Sequence, residues 1–303
     1  MTPQATGGNG NSSRAVPIAT VLYEPDPVLL NQLLASLDRG GRRFYIFVNG
    51  PLDPSFKKRL ELLSDSVIIY SVMNVGLGAA LNAVLERAAD DGYQHILLLD
   101  QDSTPDPTLP EQLFARFQDM KNGTRPLAIL GARLVTPKGM NYKPITYEWH
   151  QTGNGAVHFV PTSGSLLSLA AWKVIGPFRA DYFIDGIDVE WGFRAWSRGY
   201  HLLVATDIVM VHRWGTSSAN PDKNIPQILR QSEVRTFYYI RNAVNCLQLP
   251  YVPFEWKARK VVVLAGQVAR LLQKHHCNRK TRTVIREAIM SGLRGNLGPW
   301  LGC

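Results

Sequence analysis

Residues 95–103 read His-Ile-Leu-Leu-Leu-Asp-Gln-Asp-Ser, an apolar run that ends in two carboxylates. The run predicts a buried strand, and Asp100 and Asp102 follow at its carboxyl end. Because residues two apart in an extended chain point to the same side, this pair is suited to bind Mg²⁺ or Mn²⁺. The pattern also fits two acidic turn residues that introduce a helix near Thr108, and it leaves that alternative open.

Three units of strand and helix precede this run. Short apolar stretches alternate with segments whose apolar residues recur at helical spacing. Such alternation favours an α/β fold with a mostly parallel sheet flanked by helices. The predicted strands are 17–23, 44–48, 67–72 and 95–99, and the predicted helices are 27–37, 54–63, 78–89 and 108–120.

The pattern changes after residue 120. Residues 127–170 predict further strands, followed by a short helix over 188–197 and a strand over 202–211. From Ile225 onward the pattern predicts only helices. We therefore expect a disordered segment over 1–15, an α/β domain over 16–220 and a basic helical region over 221–303.

Composition excludes some classes of protein. A chain of 303 residues that is 45% hydrophobic is not disordered as a whole. No apolar run reaches the roughly 18 residues of a membrane span, and no secretory leader is recognisable, so we expect a cytoplasmic protein. Three scattered cysteines agree with a reducing compartment.

The formal net charge of +9 comes from the C-terminal part of the chain. Residues 241–303 contain 11 basic and 2 acidic side chains. Such a region favours an anionic partner, a nucleic acid or a membrane surface, and it contains no recognisable nucleic-acid module. A projection of a helix over 254–274 places Phe254, Val261, Leu264, Ala265, Val268, Leu271 and Leu272 largely opposite Arg259, Lys260, Arg270 and Lys274.

That projection has two interpretations. An amphipathic helix with a basic face is typical of proteins that bind anionic membranes. A helix that packs its apolar face on the core and exposes its basic face has the same pattern.

Three further segments contain candidate functional residues. Glycines within Asn74–Asn82 let the backbone approach a phosphate at the start of a helix, although close packing of that helix on the sheet accounts for them by itself. Asp185, Asp188 and Glu190 lie at the start of a predicted helix, where one of them is a general base or Asp188 and Glu190 cap the helix. His212 follows a strand and is a metal ligand or a structural histidine.

Taken in this order, the segments resemble the inverting glycosyltransferases of family 2, and among these the bacterial rhamnosyltransferases. The resemblance implies the GT-A fold, a Rossmann-like, mostly parallel sheet, here with a C-terminal helical extension. It covers nearly the whole chain. The segments that carry it are Tyr23–Asp26, Asn74–Asn82, Leu97–Ser103, Thr162–Ser165, Phe183–Trp191, His212–Ser217 and Tyr239–Asn242.

The resemblance also implies roles for the matching positions. Asp188 would be the catalytic base, and Asp102 and His212 would bind Mg²⁺ or Mn²⁺. The substrates would be dTDP-L-rhamnose and a hydroxyl group of a saccharide or lipid-linked acceptor, the latter at the inner face of the cytoplasmic membrane. The residues that would bind the donor are Tyr23, Asn74, Gly76, Asp100 and Gln101.

One departure from the family pattern concerns the nucleotide. The family has an acidic residue that contacts the base after the second strand, and Val48 takes its place here. A glycosyltransferase of the same family that uses another nucleotide sugar is therefore an alternative.

Two alternatives belong to other classes of protein. Asp100 to Thr104 fits the motif of haloacid-dehalogenase-type phosphatases, in which Asp100 would be a nucleophile. That motif normally follows the first core strand, whereas three units precede it here. A non-catalytic protein that binds membranes through its basic region is the other alternative, and it leaves the acidic clusters unexplained.

Overall fold

A computed structural model describes most of the chain as alternating strands and helices. The described residues are 15–37, 41–120, 123, 125–136, 139, 156–212, 228, 231–300 and 302. The predicted disordered segment lies outside them except for Ala15, and so do residues 213–217 of the late motif. The predicted boundary at residue 220 is also outside, and the division into domains stays a prediction.

The first half of the chain forms four strand–helix units, as predicted. Strand β2 is buried along its whole length, which agrees with a parallel strand covered on both faces. The elements are β1 (Ile18–Leu22), α1 (Pro27–Leu37), β2 (Phe44–Asn49), α2 (Pro54–Glu61), β3 (Ser66–Ser71), α3 (Leu77–Asp90), β4 (His95–Asp100) and α4 (Leu109–Met120).

The second half contains further strands between residues 127 and 170, as predicted. Within the described residues, this region forms two strands and the start of a helix. Ser168 begins that helix, because its hydroxyl oxygen accepts a hydrogen bond from the backbone of Ala171. The elements are β5 (Leu127–Val135), β6 (Ser165–Ser168), α5 (Leu169–Ile175), α6 (Ile187–Ser197), β7 (His201–Val211), α7 (Glu233–Cys246), α8 (Phe254–Lys274) and α9 (Arg279–Arg294).

All seven strands form one mixed sheet in the order β3-β2-β1-β4-β6-β5-β7. Strands β1 to β4 are parallel, β6 is antiparallel to both β4 and β5, and β7 is parallel to β5. Hydrophobic cores lie on both faces of the sheet. The predicted α/β class and mostly parallel sheet are confirmed, and the carboxyl ends of β1, β2 and β4 meet at one edge.

The three C-terminal helices have a hydrophobic core of their own, which also includes Phe183 and Ile184 from the loop before α6. Helices α7 and α9 pack closely at Gly292. A Cβ atom there would lie 2.5 Å from the carbonyl oxygen of Arg241 and 2.8 Å from Cβ of Val244. The basic helical region is therefore packed against the loop that leads into α6.

Helix α8 uses only part of its predicted apolar face for packing. Leu264 and Leu271 are buried, whereas Phe254 and Val261 are exposed. Lys260, predicted to lie opposite the apolar face, turns inward and donates to the hydroxyl of Tyr239 at 3.1 Å. No helix in the described part of the chain combines the length and the apolar composition that crossing a bilayer requires.

The packing of α7 on α9 can be tested with a pair of glycine variants. We expect Gly292→Ala to lower the free energy of unfolding by about 1–3 kcal/mol, because the new methyl group meets backbone. Gly266 lies within α8 with nothing within 4 Å of a Cβ atom, so Gly266→Ala should raise it by about 0.5–1 kcal/mol. Urea unfolding measures both, and a Gly292→Ala variant as stable as the wild type would contradict the close contact.

Candidate active site

The predicted donor-binding residue Gln101 joins the ends of two strands. Strand β4 ends in Asp100, which is paired with Val21 near the end of β1. The side chain of Gln101 accepts a hydrogen bond from the backbone N–H of Tyr23 at 2.8 Å and donates one to its carbonyl oxygen at 2.9 Å. These two bonds fix Tyr23 beside the acidic turn.

Two buried serines shape the turn that contains the acidic pair. The hydroxyl of Ser163 accepts a hydrogen bond from the backbone N–H of Asp100 at 3.1 Å and lies 2.8 Å from the hydroxyl of Ser103. The backbone of Ser103 also donates to the carbonyl oxygen of Asp100 at 3.0 Å. The sequence motifs include both serines, but their contact across 60 residues had no signal in the pattern.

His212 lies next to the acidic pair because the chain just after Asp102 pairs with the end of β7, directly before His212. An isolated antiparallel bridge joins Thr104 to Val211. As a result, Nε2 of His212 lies 3.8 Å from Oδ2 of Asp100. Burial lowers the pKa of His212 to about 4, against the opposing effect of Asp102. The imidazole is therefore neutral at pH 7, the form that can bind a metal ion.

The residues of this corner fit a divalent metal shared with a diphosphate. The side chain of Asp100 keeps 42% of its accessible area, yet burial raises its pKa to about 6, while Arg235 partly offsets this. Among the described residues, no three histidine, cysteine or acidic side chains form a complete metal cage. Mg²⁺ usually takes only one or two protein carboxylates and completes its shell with phosphate oxygens and water.

The three acids near the start of α6 have different surroundings. Glu190 is fully buried and forms two hydrogen bonds with Arg194, at 2.9 and 3.0 Å, and another with the hydroxyl of Tyr251. Asp185 forms an ion pair with Arg235, with its closest oxygen–nitrogen distances at 3.0 Å. Glu190 and Asp185 are therefore both engaged by an arginine.

Asp188 forms no ion pair within the described residues. Its Oδ1 accepts a hydrogen bond from the backbone N–H of Val189 at 2.9 Å. Burial raises its pKa to about 6, and the charges of Asp185 and Asp100 add to the rise. A carboxyl with such a raised pKa is suited to act as a general base near neutral pH.

An asparagine on α7 holds the loop that leads to Asp188. Phe183 and Asp185 both have left-handed backbone, with φ of 65° and 64°. The side-chain amide of Asn242 donates to the carbonyl oxygens of Tyr182, Ile184 and Asp185, at 2.8 to 2.9 Å. Such backbone persists only where the surroundings hold it, and these three bonds supply that support.

Asn74 organises the neighbouring strand ends. Its Oδ1 accepts hydrogen bonds from the side chain of Asn49 at 3.0 Å and from the backbone of Gly76 at 2.9 Å. A Cβ atom on Gly76 would lie 2.8 Å from the carbonyl oxygen of Phe183, so packing against the loop already requires this glycine. The donor-binding roles of Asn74 and Gly76 stay predictions.

Val48, where the family has an acidic residue, is buried in the core. Gly50, two residues further along, lies close to the ring of Tyr23, since a Cβ atom on Gly50 would lie 3.8 Å from that ring. Asn49 and Asn74, which are hydrogen-bonded to each other, and Tyr23 therefore lie near one another at the ends of β1 and β2.

The chain resembles a curated bacterial enzyme over nearly its whole length. It is 25% identical over 292 residues to the dTDP-rhamnosyl transferase RfbF of Shigella flexneri, which covers 92% of this chain and 95% of the relative. No family model matches the chain.

Solved structures of glycosyltransferases share the fold. TarS (residues 1–349) of S. aureus in complex with UDP-GlcNAc aligns with a TM-score of 0.56 at 14% identity, over 93% of this chain and 81% of that one. The mannosyltransferase PcManGT from Pyrobaculum calidifontis, in complex with GDP-Man and Mn²⁺, aligns with a TM-score of 0.56 at 13% identity, over 93% and 86%. The chain spans 43% of a longer TarS chain.

These comparisons confirm three of the predictions. The fold is the GT-A fold, with a C-terminal helical extension. The chain resembles the bacterial rhamnosyltransferases, and it is a glycosyltransferase.

The different surroundings of Glu190 and Asp188 predict opposite effects on stability. We expect Glu190→Gln to lower the free energy of unfolding by about 3 kcal/mol, because Arg194 would lose its buried partner. A carboxyl whose pKa is raised on folding destabilises the fold above that pKa, so Asp188→Asn should leave stability at pH 7.5 unchanged or raise it. Urea unfolding at pH 7.5 measures both. A loss for Asp188→Asn comparable to that for Glu190→Gln would contradict this assignment.

Proposed function

We propose that this glycosyltransferase is an inverting enzyme of family 2 that transfers L-rhamnose from dTDP-L-rhamnose to a hydroxyl group of a saccharide or lipid-linked acceptor. The observation that carries the proposal is Asp188, a partly buried carboxyl without an ion-pair partner in the described structure. It lies close enough to Asp100 for their charges to interact. The full-length likeness to a dTDP-rhamnosyl transferase supports the choice of donor.

Asp188 would accept the proton of the acceptor hydroxyl while the oxygen of that hydroxyl forms a bond to the anomeric carbon. The bond from that carbon to the diphosphate breaks on the opposite side, so a single displacement inverts the anomeric configuration. The nucleotide site would be lined by Tyr23, Asn74 and Gly76. Its inner end would be formed by Asp100 and Gln101.

Asp102 and His212 would hold a divalent metal ion in this site. A bound Mg²⁺ or Mn²⁺ stabilises the negative charge that develops on the departing diphosphate. The carboxylate of Asp102 and the neutral imidazole of His212 are suitable ligands, and the solved structure of PcManGT contains Mn²⁺.

A donor screen tests this proposal. We expect release of dTDP from dTDP-L-rhamnose in the presence of Mg²⁺ or Mn²⁺, and little release of nucleotide from UDP- or GDP-sugars. Chelation of the metal, or Asp102→Ala, should reduce the rate by at least about a hundredfold, because such charge stabilisation contributes several kcal/mol. A preference for a UDP- or GDP-sugar would overturn the choice of donor.

In the same assay, Asp188→Asn separates chemistry from binding. The variant should bind dTDP with wild-type affinity by calorimetry and lose transfer activity, because an amide cannot take up the proton. The wild-type rate should fall as the pH drops below about 6, where Asp188 becomes protonated. Turnover near the wild-type rate in the variant would show that another group is the base.

We also propose that α8 contacts an anionic membrane surface at the cytoplasmic face, where lipid-linked acceptors are available. Phe254, Val261 and Val262 are exposed on this helix, with Phe254 keeping 81% of its accessible area. The C-terminal region to which α8 belongs carries the basic excess of the chain. Apolar side chains beside basic ones are typical of interfacial helices.

Liposome flotation tests the membrane contact. The wild type should float with vesicles that contain phosphatidylglycerol at low salt, and much less at high salt or with phosphatidylcholine alone. Replacing Phe254, Val261 and Val262 together by serine should abolish flotation. Val28→Ser with Val174→Ser, which removes exposed valines on α1 and α5, is the matched control and should float. Flotation that survives the triple replacement would exclude α8 as the contact.

A further inference from the structure

Arg235 is a cation of the C-terminal helices that interacts with the acidic residues of the site. It lies in the first turn of α7, which begins where the Ser232 hydroxyl accepts a hydrogen bond from the backbone of Arg235 at 3.3 Å. Its Nε lies 3.0 Å from Oδ2 of Asp185, and its Nη2 lies 3.0 Å from Oδ1. The two-point contact orients the plane of the guanidinium group.

The side chain of Arg235 remains partly accessible to solvent. Its side chain keeps 40% of its accessible area, whereas that of Asp185 keeps only 12%. The contact with Asp185 uses Nε and Nη2, and a guanidinium group has five N–H donors in all. Donors therefore remain for a ligand in the cleft.

Arg235 also interacts with the acidic pair at the end of β4. Burial works against its positive charge, but its pKa is above the usual value. The carboxylates of Asp185, Asp100 and Asp102 are the cause. The effect is mutual, since Arg235 lowers the pKa of Asp100. The charge of Arg235 therefore acts on Asp185, which it contacts, and on both carboxylates at the corner where the metal and diphosphate are expected.

We propose that Arg235 binds the diphosphate of the nucleotide-sugar donor. The inference rests on the proposed function, because it takes a nucleoside diphosphate as the ligand. A diphosphate adds negative charge to a cleft that already contains several carboxylates, so it needs a cation of the protein as well as the metal ion. The planar guanidinium group matches two phosphate oxygens, and Asp185 keeps it oriented when no donor is bound.

A purely structural role for Arg235 makes a different prediction. If Arg235 only fixed Asp185 and its loop, Asp185→Asn and Arg235→Ala would damage the site alike. If Arg235 binds phosphate, Asp185→Asn frees it for the ligand, whereas Arg235→Ala removes it. The effect on a ligand without phosphates also differs, because thymidine cannot contact the guanidinium group through a diphosphate.

Calorimetry with dTDP and with thymidine, in the presence of Mg²⁺, tests the proposal. We expect Arg235→Ala to weaken dTDP binding by about ten- to a hundredfold, the usual range for a lost hydrogen bond to a charged group, and to leave thymidine binding unchanged. Arg235→Lys should weaken dTDP binding less, because lysine keeps the positive charge but lacks the planar pair of N–H donors of the guanidinium group. Asp185→Asn should bind dTDP as tightly as the wild type or more tightly.

The matched control is Glu233→Gln, which lies in the same turn of α7. The substitution removes an exposed ion pair with Lys280 at 2.7 Å and should change neither the dTDP affinity nor the thymidine affinity. Equal dTDP affinity for Arg235→Ala and the wild type would overturn the inference and leave the proposed function standing. Equal losses of dTDP affinity for Arg235→Ala and Asp185→Asn would also overturn the inference and leave the proposed function standing. If the wild type binds dTDP, UDP and GDP no better than thymidine, the proposed function fails, and this inference fails with it.

Discussion

Carboxylates that lie close together in a partly buried cleft repel one another, and each loses hydration when it ionises. Asp100, Asp102, Asp185 and Asp188 share this situation. The fold accommodates them in different ways: Arg235 compensates Asp185, His212 stays neutral beside Asp100, and Asp188 takes a raised pKa. Burial is the larger cause of the raised pKa values of Asp100 and Asp188, and the neighbouring carboxylates add to that of Asp188.

Most of the α/β half could be predicted from the sequence, because its signals are local. Strand β4 is an apolar run, and helix α1 has helical spacing behind an aspartate, so each element is encoded within about a dozen residues. Parallel strands also bring their carboxyl ends to one edge, which is why Asp100 and Tyr23 could be expected to lie together. The motif after β4 gave Asp102, the motif at the start of α6 gave the candidate base Asp188, and the motif after β7 gave His212.

The remaining parts of the site depend on contacts that have no local pattern. Ser163 reaches Ser103 across 60 residues, and Asn242 reaches the loop before α6 across a similar distance. Arg235 resembles any surface arginine in the sequence, and only the packing of α7 shows that it faces the acids. The projection of α8 also failed for Lys260, because a lysine stem can pack inward when an aromatic hydroxyl accepts from its amine.

The hydrogen bonds from α7 to the loop before Asp188 limit how such enzymes can diversify. Arg241 donates to the carbonyl oxygens of Asp181, Tyr182 and Gly298, so it ties the loop both to α7 and to the chain beyond α9. Recombination that replaced the C-terminal helices would also remove the hydrogen bonds that hold the loop before Asp188. The C-terminal helices and the loop before Asp188 would therefore be inherited together, and one could not be exchanged without the other.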